Sequence, residues 1–244
     1  MVPSIPIPRP IYVKAIGVEL EGGICEERLD EFRKFAARRR VRVSVGNDGS
    51  VRVPEPNDVR CFWADDIEIK FMSANPNVIA VLVNKLFELG FRQNETCGNH
   101  MHFSFLYNHN HTVSILASWE FIEYYVRRYK AEFGNIKKYM DRLRNGYSRM
   151  FASVDDLRHN IVGGSRYYAV NFSAFHKHGT LEIRVMPYAE SAEEYIRMLT
   201  FNLFTIEFYL NIYRGLRPIS LYFDIYDEVA DIPKVGSYYE EVEV

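Results

Sequence analysis

Five short apolar stretches of the chain carry Glu, His, Asn, Lys or Arg on every second position. They are Ile16-Gly17-Val18-Glu19-Leu20-Glu21, Ile67-Glu68-Ile69-Lys70-Phe71, His100-Met101-His102-Phe103-Ser104-Phe105, Val170-Asn171-Phe172-Ser173 and Thr180-Leu181-Glu182-Ile183-Arg184-Val185. Alternate side chains of a strand share a face, so Glu19 joins Glu21, Glu68 joins Lys70, His100 joins His102 and Glu182 joins Arg184. A solvated outer sheet face would also alternate, but it favours Thr, Ser, Lys and Arg. Glutamate is depleted in strands, and like charges side by side repel. Glu19, Glu21, Glu68 and Glu182 on one face therefore call for a cation among them. Several glutamates plus one imidazole suit one or more Mg²⁺ or Mn²⁺ ions holding a nucleotide. Arg166 and Arg184 are the guanidiniums available to grip phosphate or carboxylate oxygens in a bidentate way. A zinc site on Cys97, His100 and His102 is the competing metal reading, and it lacks a second Cys/His pair at ligand spacing.

The elements that must position these residues follow from local pattern. Residues 26–40 place Leu29, Phe32 and Phe35 at helical spacing. Val41, Val43 and Val45 alternate, and Asn47-Asp48-Gly49 predicts a hairpin turn into Val51 and Val53, with Asp48 at its tip. Pro76, the apolar run 78–83 and Gly90 punctuate a second helix. Residues 118–150 read as an inserted helical segment of mixed charge, rich in Arg and Lys from Arg127 to Arg144. Gly163-Gly164 marks a flexible loop, with residues 160–165 as a segment able to close over a site. Ser191 and Glu194 form a capping box opening a long helix to about Gly215. His109 and His111 read as a polar loop, and His159, His176 and His178 as loop histidines. The order of strands and helices indicates an α+β architecture with a mostly antiparallel sheet in one domain, residues 1–244. A proline-rich arm, residues 1–10, and an acidic tail, residues 216–244 with a strand-like run at 219–223, flank it.

Length and composition bound the function. A chain of 244 residues with 48% hydrophobic and 25% charged residues matches an ordinary globular domain. A net charge of -2 argues against nucleic-acid binding as the main business. No apolar run reaches the length of a membrane span, and the first ten residues lack a signal-peptide core. Three cysteines, Cys25, Cys61 and Cys97, argue against a disulfide framework and for a reducing, cytoplasmic setting. The chain has no Gly-x-Ser-x-Gly elbow, no Walker-type loop and no Gly-x-Gly-x-x-Gly after a strand.

Six motifs together resemble the amidoligase family of the glutamine-synthetase-like carboxylate-amine ligases. They are Gly17-Val18-Glu19-Leu20-Glu21, Asp48-Gly49-Ser50-Val51, Glu68-Ile69, Cys97-Gly98-Asn99-His100-Met101-His102, Arg166-Tyr167-Tyr168-Ala169-Val170-Asn171-Phe172 and Gly179-Thr180-Leu181-Glu182-Ile183-Arg184. They occur in family order between about residues 12 and 212. The resemblance implies a curved sheet of the glutamine synthetase catalytic type, with helices on its convex face and ATP and Mg²⁺ or Mn²⁺ on its concave face. It implies that a carboxylate takes the γ-phosphoryl group of ATP and that an amine then displaces phosphate. It places Glu19, Glu21, Glu68, His100 and Glu182 at the metals, with Glu68 alternatively on the amine side. It sets His102 against phosphate or substrate, makes Arg166 and Arg184 oxyanion binders, counts Asn171 among the nucleotide-site residues, and adds Asp48 to the catalytic set. Glu68 is followed by Ile69-Lys70-Phe71 where the family often has a small residue and a proline. A binding protein that uses the basic helical insertion on the same fold is the second reading, and a zinc hydrolase on Cys97 the third.

Overall fold

In the computed structural model, which describes residues 6–57, 61–106 and 109–213, the period-two stretches fall into one antiparallel sheet. The chain runs β1 (Val13–Cys25), α1 (Glu26–Ala37), β2 (Val43–Asn47), β3 (Trp63–Ser73), α2 (Pro76–Glu88), β4 (Gly98–Phe105) and α3 (His109–Leu116). It continues through α4 (Trp119–Phe133), α5 (Lys137–Arg142), α6 (Val154–Ile161), β5 (Val170–Asn171), α7 (Ala174–His178), β6 (Leu181–Pro187) and α8 (Ala192–Tyr213). The six strands are ordered β2-β3-β1-β4-β6-β5, so β1 lies inside the sheet and is paired on both sides.

Parity sorts the two faces. Val18 and Leu20 of β1, Ile67, Ile69 and Phe71 of β3, Met101 and Phe103 of β4, and Leu181, Ile183 and Val185 of β6 are all buried in one core with the helices. The intervening residues, including Glu19, Glu21, Glu68, His100, His102 and Glu182, line the opposite face.

Local rules account for the helices on the core side. Asn75 caps α2 by accepting from the Asn77 N–H at 3.0 Å, Pro76 occupies the first turn, and Gly90 takes φ +88 just beyond the end. Ser118 caps α4 through the Phe121 N–H at 3.2 Å. Ser191 accepts from the Glu194 N–H at 3.1 Å to open α8, while the Glu194 carboxylate reaches back to the Glu190 N–H at 2.9 Å. Tyr125, Tyr129 and Phe133 of α4 pack around Phe201 of α8 at ring distances of 6.0, 6.1 and 5.0 Å. The 118–150 segment is thus built into the common core.

Three expectations need correction. The Asn47-Asp48-Gly49 turn exists, but β2 pairs with β3, Val45 facing Ile69, and not with residues 51–53. Val51 and Val53 drop instead into a small cluster with Cys97 and Trp63. Cys25 and Cys61 are joined in a disulfide. The register that puts Cys25 opposite Trp63 brings Cys61 within reach, and with two of the three cysteines bonded the argument for a reducing compartment lapses. Residues 109–111 begin α3, His159 lies in α6, and His176 and His178 lie in α7, so these histidines are helical and not in loops. In the segment 160–165, Asn160 is fully buried, donates to Ser165 O at 2.7 Å and accepts from the Phe172 N–H at 2.7 Å, so the two ends are joined while residues 162 and 163 are exposed.

The strand-like run 219–223, the end of the last helix near Gly215 and the acidic tail lie outside the described residues. No helix among the described residues is long and apolar enough to cross a membrane.

Candidate metal and oxyanion site

Cross-strand register assembles the site. Glu19 faces Lys70 on one side and His100 on the other, Glu21 faces Glu68, Gly17 faces His102, and Glu182 faces His102 and Asn171. Gly17 lets the two strands sit close, the Cβ of His102 lying 3.3 Å from where a side chain would begin, a tight contact. Between Asn99 and Met101 the pairing of β4 with β6 slips, so His100 stands at an irregularity of the kind that re-aims a side chain.

The result is a cleft of about 590 Å³ over the acidic strand face. Two sets of side chains bring ligand atoms within 4.8 Å of one another: Glu19, His100 and Glu182, and Glu21, Glu68 and His100. His100 belongs to both. Its Nδ1 lies 3.3 Å from Glu19 Oε2 and 3.9 Å from Glu182 Oε1, and its Nε2 lies 3.8 Å from Glu21 Oε1. The Nε2 atoms of both His100 and His102 are buried with no hydrogen bond of ordinary geometry; the carboxylate oxygens near them are Glu21 Oε1 at 3.8 Å from His100 and Glu19 Oε1 at 3.5 Å from His102. Buried polar atoms are normally satisfied, so a cation among these groups would complete them. An oxygen-rich set with one imidazole fits Mg²⁺ or Mn²⁺.

Cations of the chain already meet some of this charge. Lys70 Nζ bridges Glu19 at 3.0 Å and Glu68 at 2.7 Å. Arg184 Nη1 holds Glu182 Oε1 at 2.5 Å, and the Gly98 N–H donates to Glu21 Oε2 at 2.6 Å. Burial works to raise the Glu19 carboxyl, but hydrogen bonds from His100 and His102 and their charges win and hold it far below the usual range. Glu182 is likewise pushed up by burial yet ends below its ordinary value, through Arg184 and the two histidines. Glu68 goes the other way, raised by burial and by repulsion from Glu19 despite Lys70.

Asn171 sits behind Glu182. Its Oδ1 accepts from Asn160 Nδ2 at 2.9 Å, the Ser173 N–H at 3.1 Å and the Ser173 hydroxyl at 2.7 Å. Its Nδ2 is thereby turned to donate to Glu182 Oε2 at 2.6 Å. Asn171 thus holds a carboxylate in place. Asp48 lines the cleft from the β2 turn, accepting the Ser50 N–H at 2.8 Å and hydroxyl at 2.6 Å. Burial raises its carboxyl, while Ser50 and the charges of His100 and Arg166 bring it below the usual value. Arg166 is exposed at the rim beside Tyr167.

The structure brings together in the cleft every residue singled out from sequence except Cys97. That thiol, pushed up to about 11 by burial, lies with Val51 and Val53 and contacts Asn94 Oδ1 at 3.7 Å. It belongs to neither ligand group, so the zinc set does not assemble. Residues that sequence reasoning missed also serve the site. Thr180 supports the site from behind, pairing its hydroxyl with His102 Nδ1 at 3.0 Å, and its alternation with Glu182 was the available signal. His178 stacks edge-on to His102 at 6.0 Å, and Arg142 enters from α5 with no local pattern to announce it. Comparisons with protein-family models, with curated proteins and with solved structures yield no match.

Proposed function

We propose that the protein is an ATP- and divalent-cation-dependent carboxylate-amine ligase of the amidoligase type, working on a sheet of the glutamine synthetase catalytic kind. The observation that carries this reading is the pair of ligand groups sharing His100 on a strand face with arginines at its edges. Glu19, Glu182, Glu21, Glu68 and His100 would hold Mg²⁺ or Mn²⁺. A bound cation would neutralise phosphate charge and align the nucleotide against the strands.

The chain's own groups do the rest. Arg184 stabilises negative charge near Glu182, and Arg166 at the rim is placed to reach a transferring phosphoryl oxygen. His102, held by Thr180, presents Nε2 to the same space. The substrate carboxylate oxygen bonds to the γ-phosphorus as ADP leaves, and the amine then attacks the acyl carbon as phosphate leaves. Asp48, kept ionised by Ser50, is positioned to take the proton that the amine loses.

The test is phosphate release from ATP in the presence of carboxylate and amine panels, with calorimetry of Mg–ATP. Turnover should need both partners and should vanish in Glu19→Gln and Glu182→Gln while both variants remain folded at the assay temperature by circular dichroism. Absence of binding to both ATP and Mg²⁺, or wild-type turnover in either variant, overturns the reading. The alternative of a binder using the basic stretch from Arg127 to Arg144 would rest on Arg127, Lys130, Lys137 and Arg144, which are exposed, because the other three cations are committed elsewhere. Arg128 is buried, Lys138 is paired with Glu190 and Glu194 at 3.0 and 2.8 Å, and Arg142 faces the cleft.

A further inference from the structure

Arg142, the last residue of α5, lies over Gly98, where even a first side-chain carbon would collide with its guanidinium. Its Nε is buried without a hydrogen-bond partner, and Arg142 forms no ion pair with any described residue. Glu21 attracts it only through space and Arg184 repels it. The residue is only half-buried, but a buried Nε–H left without an acceptor costs free energy, and an oxyanion from outside the chain would relieve that cost. Arg142, Asn145 and Glu95 also line a second cavity of about 490 Å³, which adjoins the first. That size falls in the range, roughly 300–1,000 Å³, of small-molecule sites. The walls of this cavity carry both signs. Lys138 is occupied by Glu190 and Glu194, whereas the carboxylates of Glu95 and Asp141 have no ion-pair partner among the described residues.

We propose that this second cavity is the substrate chamber: it takes an amino acid or peptide end, with Arg142 gripping the carboxylate at the junction and Glu95 and Asp141 facing the ammonium group. The planar fork of Arg142 suits a bidentate carboxylate, and it presents that group beside Glu21 and His100. The chamber deepens the ligase reading and rests on it for the fate of the carboxylate.

The experiment is calorimetry and thermal shift on the whole chain with Mn²⁺, using the twenty common amino acids, glycylglycine and alanylalanine, and the C-terminal amide of each. At least one free acid should bind and its amide should not. Arg142→Gln should weaken that binding at least about tenfold while Mn²⁺ affinity holds or rises, since a positive charge beside Glu21 is removed. Gly98→Ala, which displaces the guanidinium without removing it, should weaken binding too and serves if Arg142→Gln does not fold. No binding by any panel member, equal binding of acid and amide, or undiminished binding in the variants overturns the chamber. Acid binding without ATP-dependent phosphate release keeps the chamber and removes the ligase. Mg–ATP binding with no panel member bound does the reverse.

Discussion

At the scale of single residues, the neutral side chains set the geometry of the charged ones. Asn171 spends its oxygen on Asn160 and Ser173, so its amide nitrogen faces Glu182 Oε2 and leaves Oε1 toward Arg184 and the histidines. Asn171→Ala should lower Mn²⁺ affinity about 10–100-fold, the usual cost of losing a group that orients a ligand, with calorimetry as the check. Lys70 presents the opposite case. It neutralises Glu19 and Glu68 in place of an added cation, with its own side chain partly open to water. Lys70→Gln should therefore bind Mn²⁺ several-fold more tightly and melt at a lower temperature in EDTA, both seen by titration against thermal unfolding.

At the scale of elements, the long helix α8 anchors the start of β1. Glu207 accepts the N–H groups of Ile11, Tyr12 and Val13 at 2.9, 2.9 and 2.7 Å, in a buried setting that raises its carboxyl above the ordinary value. Glu207→Gln turns an amide donor toward one of those N–H groups and should cost about 1–3 kcal/mol in urea unfolding near neutral pH. A raised folded-state value makes ionisation unfavourable to folding. The Glu207 contribution is therefore fully present at pH values below its unfolded value and is lost as pH rises through the folded one. The parent should lose stability over that interval relative to Glu207→Gln, whose side chain does not titrate, in unfolding curves taken across a pH series.

The same scale shows what could be read from the chain beforehand. Period-two alternation located β1, β3, β4 and β6 and put the right side chains on one face, because a strand's parity is a local property. The partner of β2 was not local. The Asp48-Gly49 turn signal is genuine, but Val51 and Val53 gain more from Cys97 and Trp63 than from pairing with β2. The Cys25–Cys61 bond and the placement of Arg142 over Gly98 depend on register and helix docking across distant segments, which no window of sequence encodes.

At the scale of the whole molecule, a net charge of only -2 conceals a concentrated acidic floor. A folded state that carries such a floor is stabilised by any cation that binds it and not the unfolded chain. Mn²⁺ at a hundredfold excess over its dissociation constant should add about 2.7 kcal/mol, which for a chain of this size raises the melting temperature by roughly 5–10 °C. EDTA should reverse the shift, and Glu19→Gln should show little of it, as read by calorimetric melting.

The interior position of β1 also bears on kinetics. From Gly17 to Leu20 it is hydrogen-bonded into ladders with β3 and β4 at once. Amides held on both sides do not fray; they exchange with solvent only when the sheet as a whole comes apart. Whatever occupies the floor must therefore come and go through the mouth of the cleft while the sheet stays closed. Its residence time is then set by access past the rim at Arg166 and Tyr167, independent of how often the protein unfolds.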